Sequence, residues 1–335
     1  MQPSVLPKQS SNPIEAMLDF VSEDMAAVNQ LIIKRLANPI DVIPKLAGHL
    51  INAGGKRIRP LLALATAAAC GDTSKRQIAL SACIEFIHTA TLLHDDVVDD
   101  NDCRRGQETA NIIWGNPATV LVGDYLFTKS FELMVEDGDP EVLRVLSKAA
   151  STIVEGEVLQ LTTNQDTSKT YAQYTSVISA KTAELFAAAC HIGALVAGQP
   201  KDVQQAFVDF GWNLGMAYQV VDDVLDYTAN QEILGKPLGV DFVEGKMTFP
   251  VIYAYEVGTE EQRSFWDQTM DELEQEEGDF EKAVEILHAT GAFERSYEKA
   301  TEYTEQAKAA LARVPDSIDT NLFADVASYC VRRDK

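Results

Sequence analysis

Cysteine is scarce in this 335-residue chain, and the five present (Cys70, Cys83, Cys103, Cys190 and Cys330) form no Cys-x-x-Cys pair. That odd count excludes a disulfide framework and reads as reduced thiols of a cytosolic protein, four of them in or beside apolar segments. Histidine is equally thin: His49, His88, His94, His191 and His288 show no His-x-x-x-His spacing, which discounts a zinc site. No uninterrupted apolar run reaches the roughly eighteen residues that a membrane span needs. Met1 to Asn12, polar and carrying Pro3 and Pro7, lacks the charged-then-apolar order of a signal peptide. A soluble, cytoplasmic protein is expected, with any membrane contact limited to a transient visit to the surface. Cations are the largest deficit: 28 Lys and Arg against 51 Asp and Glu leave a net charge of −23. Such a surface repels a phosphate backbone, so nucleic acid is excluded as a partner.

Strict alternation of apolar and polar residues is also hard to find, which argues against a half-buried sheet. What recurs instead is the three-and-four spacing of Leu61, Leu64, Ala65 and Ala68. The expected fold is all-α: a single large helical bundle around a central cavity, one domain over residues 1–335 with residues 1–12 flexible. A hydrophobic content of 46% over this length is ample for a large core. Three helix starts are marked by a capping residue followed by proline, at Asn12-Pro13, Asn116-Pro117 and Asp139-Pro140. Further helices are predicted over 74–100, 169–197, 201–228 and 248–257, with more charged ones from there to Arg332. Those between 74 and 228 are apolar around much of their circumference, as helices inside a bundle are. The acidic stretch 267–285 reads as a solvated face.

Two acidic clusters stand out against these apolar helices. Asp95, Asp96, Asp99 and Asp100 close one helix, with Asp95 and Asp99 one turn apart on the same face; Asp222, Asp223 and Asp226 repeat the DDxxD spacing 127 residues later. A lone DDxxD is as readily a solvated helix end as a site. Two copies, each within an apolar segment and opposed to the helix dipole, require bound cations. Magnesium suits such a set, because it favours carboxylate oxygen and takes its remaining ligands from water and substrate phosphates. Facing clusters would clamp one diphosphate. A general acid/base dyad needs two carboxylates with separate roles, not six or seven.

Clustered positive charge in so acidic a chain needs its own reason. Gly54-Gly55-Lys56-Arg57-Ile58-Arg59-Pro60 sets three cations beside a double glycine at a helix start, where the dipole disfavours them, and reads as an anion cradle. Arg104-Arg105 follows the first acidic cluster and either neutralises it or holds a second anion. Lys181-Thr182, Lys236 and Gly245-Lys246 are further cations in or beside apolar surroundings, each weak evidence alone. His88 lies two turns before Asp95 on the face that carries the aspartates.

Taken in order, GGKRIRP, DDVVD with Arg104-Arg105, Lys181-Thr182, Gln219 with DDVLD, and Gly245-Lys246 closely resemble the motifs of trans-isoprenyl (polyprenyl) diphosphate synthases, especially the bacterial long-chain type. The resemblance covers nearly the whole chain. It implies the isoprenoid synthase fold, Mg²⁺ as cofactor, and repeated head-to-tail condensation of isopentenyl diphosphate onto an allylic diphosphate such as geranyl or farnesyl diphosphate. By the same resemblance, Asp95, Asp96, Asp99, Asp222, Asp223 and Asp226 form the metal set. Arg104, Lys181 and Lys246 would neutralise the allylic diphosphate. Lys56, Arg59, His88 and Arg105 would hold isopentenyl diphosphate, and Lys236 joins the substrate-binding set. Thr182 and Gln219 would face the reacting carbons and the diphosphate. Family members are typically homodimers, so a homodimer is expected.

Product length in this family follows the depth of a tunnel below the first cluster, with Thr91 and Ala90 on its wall. Ala90 lies roughly 7 Å below Asp95 along the helix, and its small side chain implies a long product of roughly eight to ten isoprene units, a quinone side chain. The motif Gly245-Lys246-Met247-Thr248-Phe249-Pro250 departs from the usual GKxTLP, and the ending Val331-Arg332-Arg333-Asp334-Lys335 departs from the common basic-aromatic one. The rivals are a shorter-chain synthase, a terpene cyclase, which the second DDxxD argues against, and a non-catalytic subunit, in which the aspartates would have decayed.

Overall fold

The computed structural model describes residues 12–52, 57–104, 106–229 and 238–332. Lys56, Arg105 and Lys236 lie outside them, as does most of the 1–12 segment. The first helices are α1 (Pro13–Phe20), α2 (Ser22–Leu36), α3 (Val42–Asn52), α4 (Ile58–Ala69) and α5 (Arg76–Val98). A hairpin of β1 (Cys103–Arg104) and β2 (Gln107–Glu108) then leads into α6 (Ala110–Trp114), α7 (Asn116–Asp137), α8 (Pro140–Leu161) and α9 (Tyr171–Ile178). After them come α10 (Glu184–Val196), α11 (Lys201–Thr228), α12 (Val240–Val243), α13 (Phe249–Val257) and α14 (Glu260–Trp266). The last helices are α15 (Asp279–Ala289), α16 (Ala292–Leu311) and α17 (Asn321–Cys330).

Local chemistry sets the boundaries. The Asn12 side chain accepts from the Ile14 amide at 2.9 Å and that of Asp139 from Glu141 at 2.9 Å, so both helices begin where a cap precedes proline. At the third expected start the cap is shifted: Gly115, at φ 82, occupies it, and Asn116 and Pro117 are already helical. The helix predicted over 169–197 forms as two, joined by a π-helical turn at Ser179–Ala183. An extra residue in the ladder leaves the apolar periodicity almost intact, so the sequence pattern does not reveal it. The short hairpin is a second departure; Gly106, at φ 75, turns it just after the first acidic cluster.

The 28-residue α11, about 42 Å long, is a central strut that packs against α10 and α16. Glycine sets its approach to the π turn that leads into α10, because a Cβ on Gly215 would stand 2.6 Å from Ala183 Cα. Gly156 does the same for α8, where a Cβ would lie 2.8 Å from Ala180 Cβ and 3.0 Å from Lys181 N. These crossings bring Glu157, Lys181 and Gln219 within reach of one another. At the far end, Phe207 and Phe210 of α11 each place their rings 5.6 Å from Phe323 of α17. All three are fully buried, each worth about 1.5–3 kcal/mol relative to exposure. None of the five cysteines is in a disulfide, and burial pushes the Cys70 and Cys190 thiols up to about 12. No described helix is long and apolar enough to cross a membrane.

Candidate active site

The first acidic helix end reaches a cleft through two lysines, and Asp223 of the second lines the same cleft directly. Asp95 and Asp96 lie in the last turns of α5 and Asp99 is its C-cap residue. Asp99 Oδ2 accepts from Lys246 Nζ at 2.9 Å, and Asp95 Oδ2 lies 3.6 Å from Lys181 Nζ. Those lysines, with Thr182, Gln219 and Asp223, line a cleft enclosing about 120 Å³. Carboxylates at a helix C-terminus oppose the dipole, so the ammonium groups offset a charge that α5 itself disfavours.

The π turn carries Lys181 and Thr182. Lys181 Nζ also donates to Glu157 Oε2 on α8 at 2.7 Å. Burial opposes its charge, yet Asp95 and Glu157 together hold the ammonium above its ordinary pKa. Glu157 responds in the opposite sense: burial and Asp95 push its carboxyl up to about 7, and its Oε1 is buried with no hydrogen-bond partner. Lys246 is also raised, since Asp241, Asp99 and Glu244 outweigh its desolvation.

The second cluster divides its labour. Asp223 is 2% exposed and accepts from Tyr174 Oη at 2.6 Å and Gln219 Nε2 at 2.9 Å. Burial, reinforced by Asp241, pushes its carboxyl up to about 7. Gln219 Oε1 in turn accepts from Thr182 Oγ1 at 2.8 Å, which extends the chain of bonds from α9 through α11 to the π turn. Asp226 Oδ2 accepts the Asp241 amide at 2.9 Å and its carbonyl accepts the Gly239 amide at 2.8 Å, anchoring the segment that carries Lys246. Asp222 is half-buried, one turn before Asp226 on the same face.

The expected residues therefore fall into groups. Asp95, Asp99, Lys181, Thr182, Gln219, Asp223 and Lys246 come together around the cleft. Asp96, 1% exposed, is instead bound by Arg104, whose Nε and Nη2 both lie 2.7 Å from Oδ1. Arg104 thus sits beside the first cluster, paired with its most buried carboxylate. Arg59 and His88 pair at 3.1 Å between Nη1 and Nε2, with the guanidinium 4.7 Å from the Phe186 ring centroid. Below Asp95 on α5, Ala90 is fully buried, as are Ile87 and Ile84, and Thr91 keeps only 8% exposure.

Sequence reasoning missed Glu157, Lys169, Tyr174, Asp241 and Glu244. Glycine at 156, inside an otherwise regular helix, was the available signal for a close approach beside Glu157. Glu244 and Asp241 flank a motif already singled out. Tyr174 and Lys169 carried no local signal.

As a candidate metal centre, the set consists of hard carboxylate oxygens, with Lys181, Lys246 and Arg104 as cations beside Asp95, Asp99 and Asp96. Among the described residues no three His, Cys, Asp or Glu side chains form a ready-made metal cage. An oxygen-loving divalent ion that completes its shell from water and phosphate fits such a sparse set.

The family profile for polyprenyl synthetase matches residues 40–287. The chain is 41% identical over 324 residues to octaprenyl diphosphate synthase of Escherichia coli (strain K12), covering 96% of this chain and 99% of that protein. A crystal structure of polyprenyl synthase from Caulobacter crescentus CB15, complexed with calcium and isoprenyl diphosphate, is 43% identical with a TM-score of 0.94, over 98% of this chain and 100% of that one. A decaprenyl diphosphate synthase from Rhodobacter capsulatus matches with a TM-score of 0.91 and 44% identity, over 96% and 100% of the two chains. The all-α isoprenoid synthase fold expected above is therefore met, and the chain belongs to the polyprenyl synthetase family.

Proposed function

We propose that this protein is a Mg²⁺-dependent trans-polyprenyl diphosphate synthase that extends an allylic diphosphate with isopentenyl diphosphate to a long all-trans chain, for a quinone side chain. The observation that carries this reading is the convergence of Asp95 and Asp99 with Lys181 and Lys246 on the cleft that also holds Asp223. Asp95, Asp99 and Asp222 would hold the metal, which when bound stabilises the negative charge that develops on the departing diphosphate. Lys181 and Lys246 receive that charge directly, exchanging a carboxylate partner for phosphate oxygen. The alkene of isopentenyl diphosphate attacks the allylic carbocation, and the proton lost afterwards passes to the diphosphate. Gln219 and Thr182 orient their amide and hydroxyl dipoles at the cleft, and the apolar walls of α5, α10 and α11 keep water from the cation. Arg59 and His88 would bind the second diphosphate.

The octaprenyl and decaprenyl products named for the E. coli and R. capsulatus relatives support a long chain, as does alanine at position 90. A homodimer is part of the proposal. It is supported by Leu121, Phe131 and Val135 on α7 and Val154, Val158 and Leu161 on α8, large apolar side chains left exposed on neighbouring helices. Sedimentation at micromolar concentration tests it. Incubation with farnesyl diphosphate, isopentenyl diphosphate and Mg²⁺, followed by chromatographic sizing, tests the activity. Octaprenyl to decaprenyl product supports the reading, product stopping at geranylgeranyl overturns the length, and absence of elongation overturns the function.

A further inference from the structure

Lys169 is a cation that the account so far leaves without a task. It is 6% exposed, yet its ammonium makes no hydrogen bond or ion pair with any described residue, although its backbone amide donates to the Asp166 carbonyl at 3.0 Å. It lines the cleft with Lys181 and Lys246 and stands immediately before the Thr170 cap of α9. Its segment is pinned on both sides. Thr167 Oγ1 donates to Asp267 Oδ1 at 2.8 Å, the Gln165 amide donates to the Gly245 carbonyl at 3.1 Å, and Thr170 and Gln173 close a capping box. The lysine is therefore held at the cleft by its backbone rather than by a salt bridge.

An ammonium buried without a partner is strongly disfavoured unless something compensates it. Asp223 and Asp241 influence it from a distance, but neither reaches ion-pair range. Burial accordingly holds Lys169 below the ordinary lysine pKa. A chain that retains this cost beside two other lysines has built a pocket for an anion with several charges.

We propose that Lys169 is a third cation for the diphosphate bound in this cleft, closing over the oxygens that Lys181 and Lys246 do not reach. The inference rests on the reading of the cleft as the allylic diphosphate site. It gives that site a contact from the segment before α9, so that the affinity for the released pyrophosphate, and not only for the prenyl substrate, depends on position 169.

The test is calorimetric titration of inorganic pyrophosphate, with Mg²⁺, into the full-length wild type and the Lys169→Met, Lys169→Gln and Lys169→Arg variants. Losing one charge-assisted contact is expected to weaken pyrophosphate about ten-fold in Lys169→Met and Lys169→Gln, with Lys169→Arg recovering most of it. Thermal melts of the same samples report folding, and either neutral variant suffices if the other is unstable. Unchanged pyrophosphate affinity in a folded neutral variant, while the wild type still elongates farnesyl diphosphate, overturns this assignment alone. A wild type that neither binds pyrophosphate nor elongates overturns it together with the proposed function.

Discussion

Replacing Lys181 by methionine tests how the cleft balances its charge. In the native protein Lys181 Nζ sits 2.7 Å from Glu157 Oε2 and 3.6 Å from Asp95 Oδ2, with each side chain less than a third exposed. Removing one partner of such a pair costs about 3–5 kcal/mol when the remaining charge has no escape. Glu157 has one, because its carboxyl, already pushed up to about 7, can take a proton. Without the ammonium its pKa in the fold rises further. A carboxyl raised in the folded state contributes stability at low pH that is lost as pH rises through its folded value. In the wild type that loss is complete soon above pH 7, whereas in Lys181→Met it continues upward. The variant should therefore lose about 1.4 kcal/mol per pH unit relative to wild type above pH 7, or about 2 kcal/mol more at pH 8.5 than at pH 7. Urea unfolding of the ligand-free protein at the two pH values measures this. Lys181→Met/Glu157→Gln should remove the extra slope, since the titrating group is gone. A penalty equal at both pH values, or a double variant with the same slope as the single one, would refute the assignment of Glu157 as the proton acceptor.

Three other outcomes follow from particular contacts. Ala90→Phe places a ring where the interior is fully packed, so the protein should lose about 1–3 kcal/mol in a thermal melt and its product should shorten; unchanged product length on radiolabelled chromatography refutes the placement of the tunnel. Gly215→Ala drives a methyl toward Ala183 Cα at 2.6 Å, and a loss of about 1–3 kcal/mol in denaturant unfolding is expected; wild-type stability would contradict the close approach of α11 to the π turn. Tyr174→Phe removes the 2.6 Å bond to buried Asp223 and should cost about 1–3 kcal/mol at pH 8, where that carboxyl is ionised, and less at pH 6; a pH-independent penalty argues against a charged acceptor.

Legibility in the sequence tracked how local each determinant is. The apolar periodicity of 201–228 marks α11 at both ends, and Asn12-Pro13 and Asp139-Pro140 mark two helix starts because the cap and the proline act within one turn. The π turn at Ser179–Ala183 was not legible, since adding one residue to a ladder barely disturbs which side chains are apolar. Aspartate motifs named the acidic helix ends but not their division of labour. Asp96 and Asp223 look like Asp95 and Asp222 in sequence, and only the packing of Arg104 against one and Tyr174 against the other separates them. Glu157 and Lys169 escaped for the same reason: their significance lies in burial and in partners distant along the chain.

The proposed reaction requires both acidic helix ends to act on one diphosphate. Its most direct test is the Mg²⁺-dependent affinity for inorganic pyrophosphate in wild type, Asp95→Asn, Asp222→Asn and the double variant, measured by calorimetry as a double-mutant cycle. If the two aspartates serve one bound ligand, each single variant weakens binding and the double variant weakens it by less than the product of the two, with a coupling energy of about 1 kcal/mol or more. Losses that multiply, with no coupling, would mean that the two clusters bind independently and that the shared cleft is not the site of the reaction.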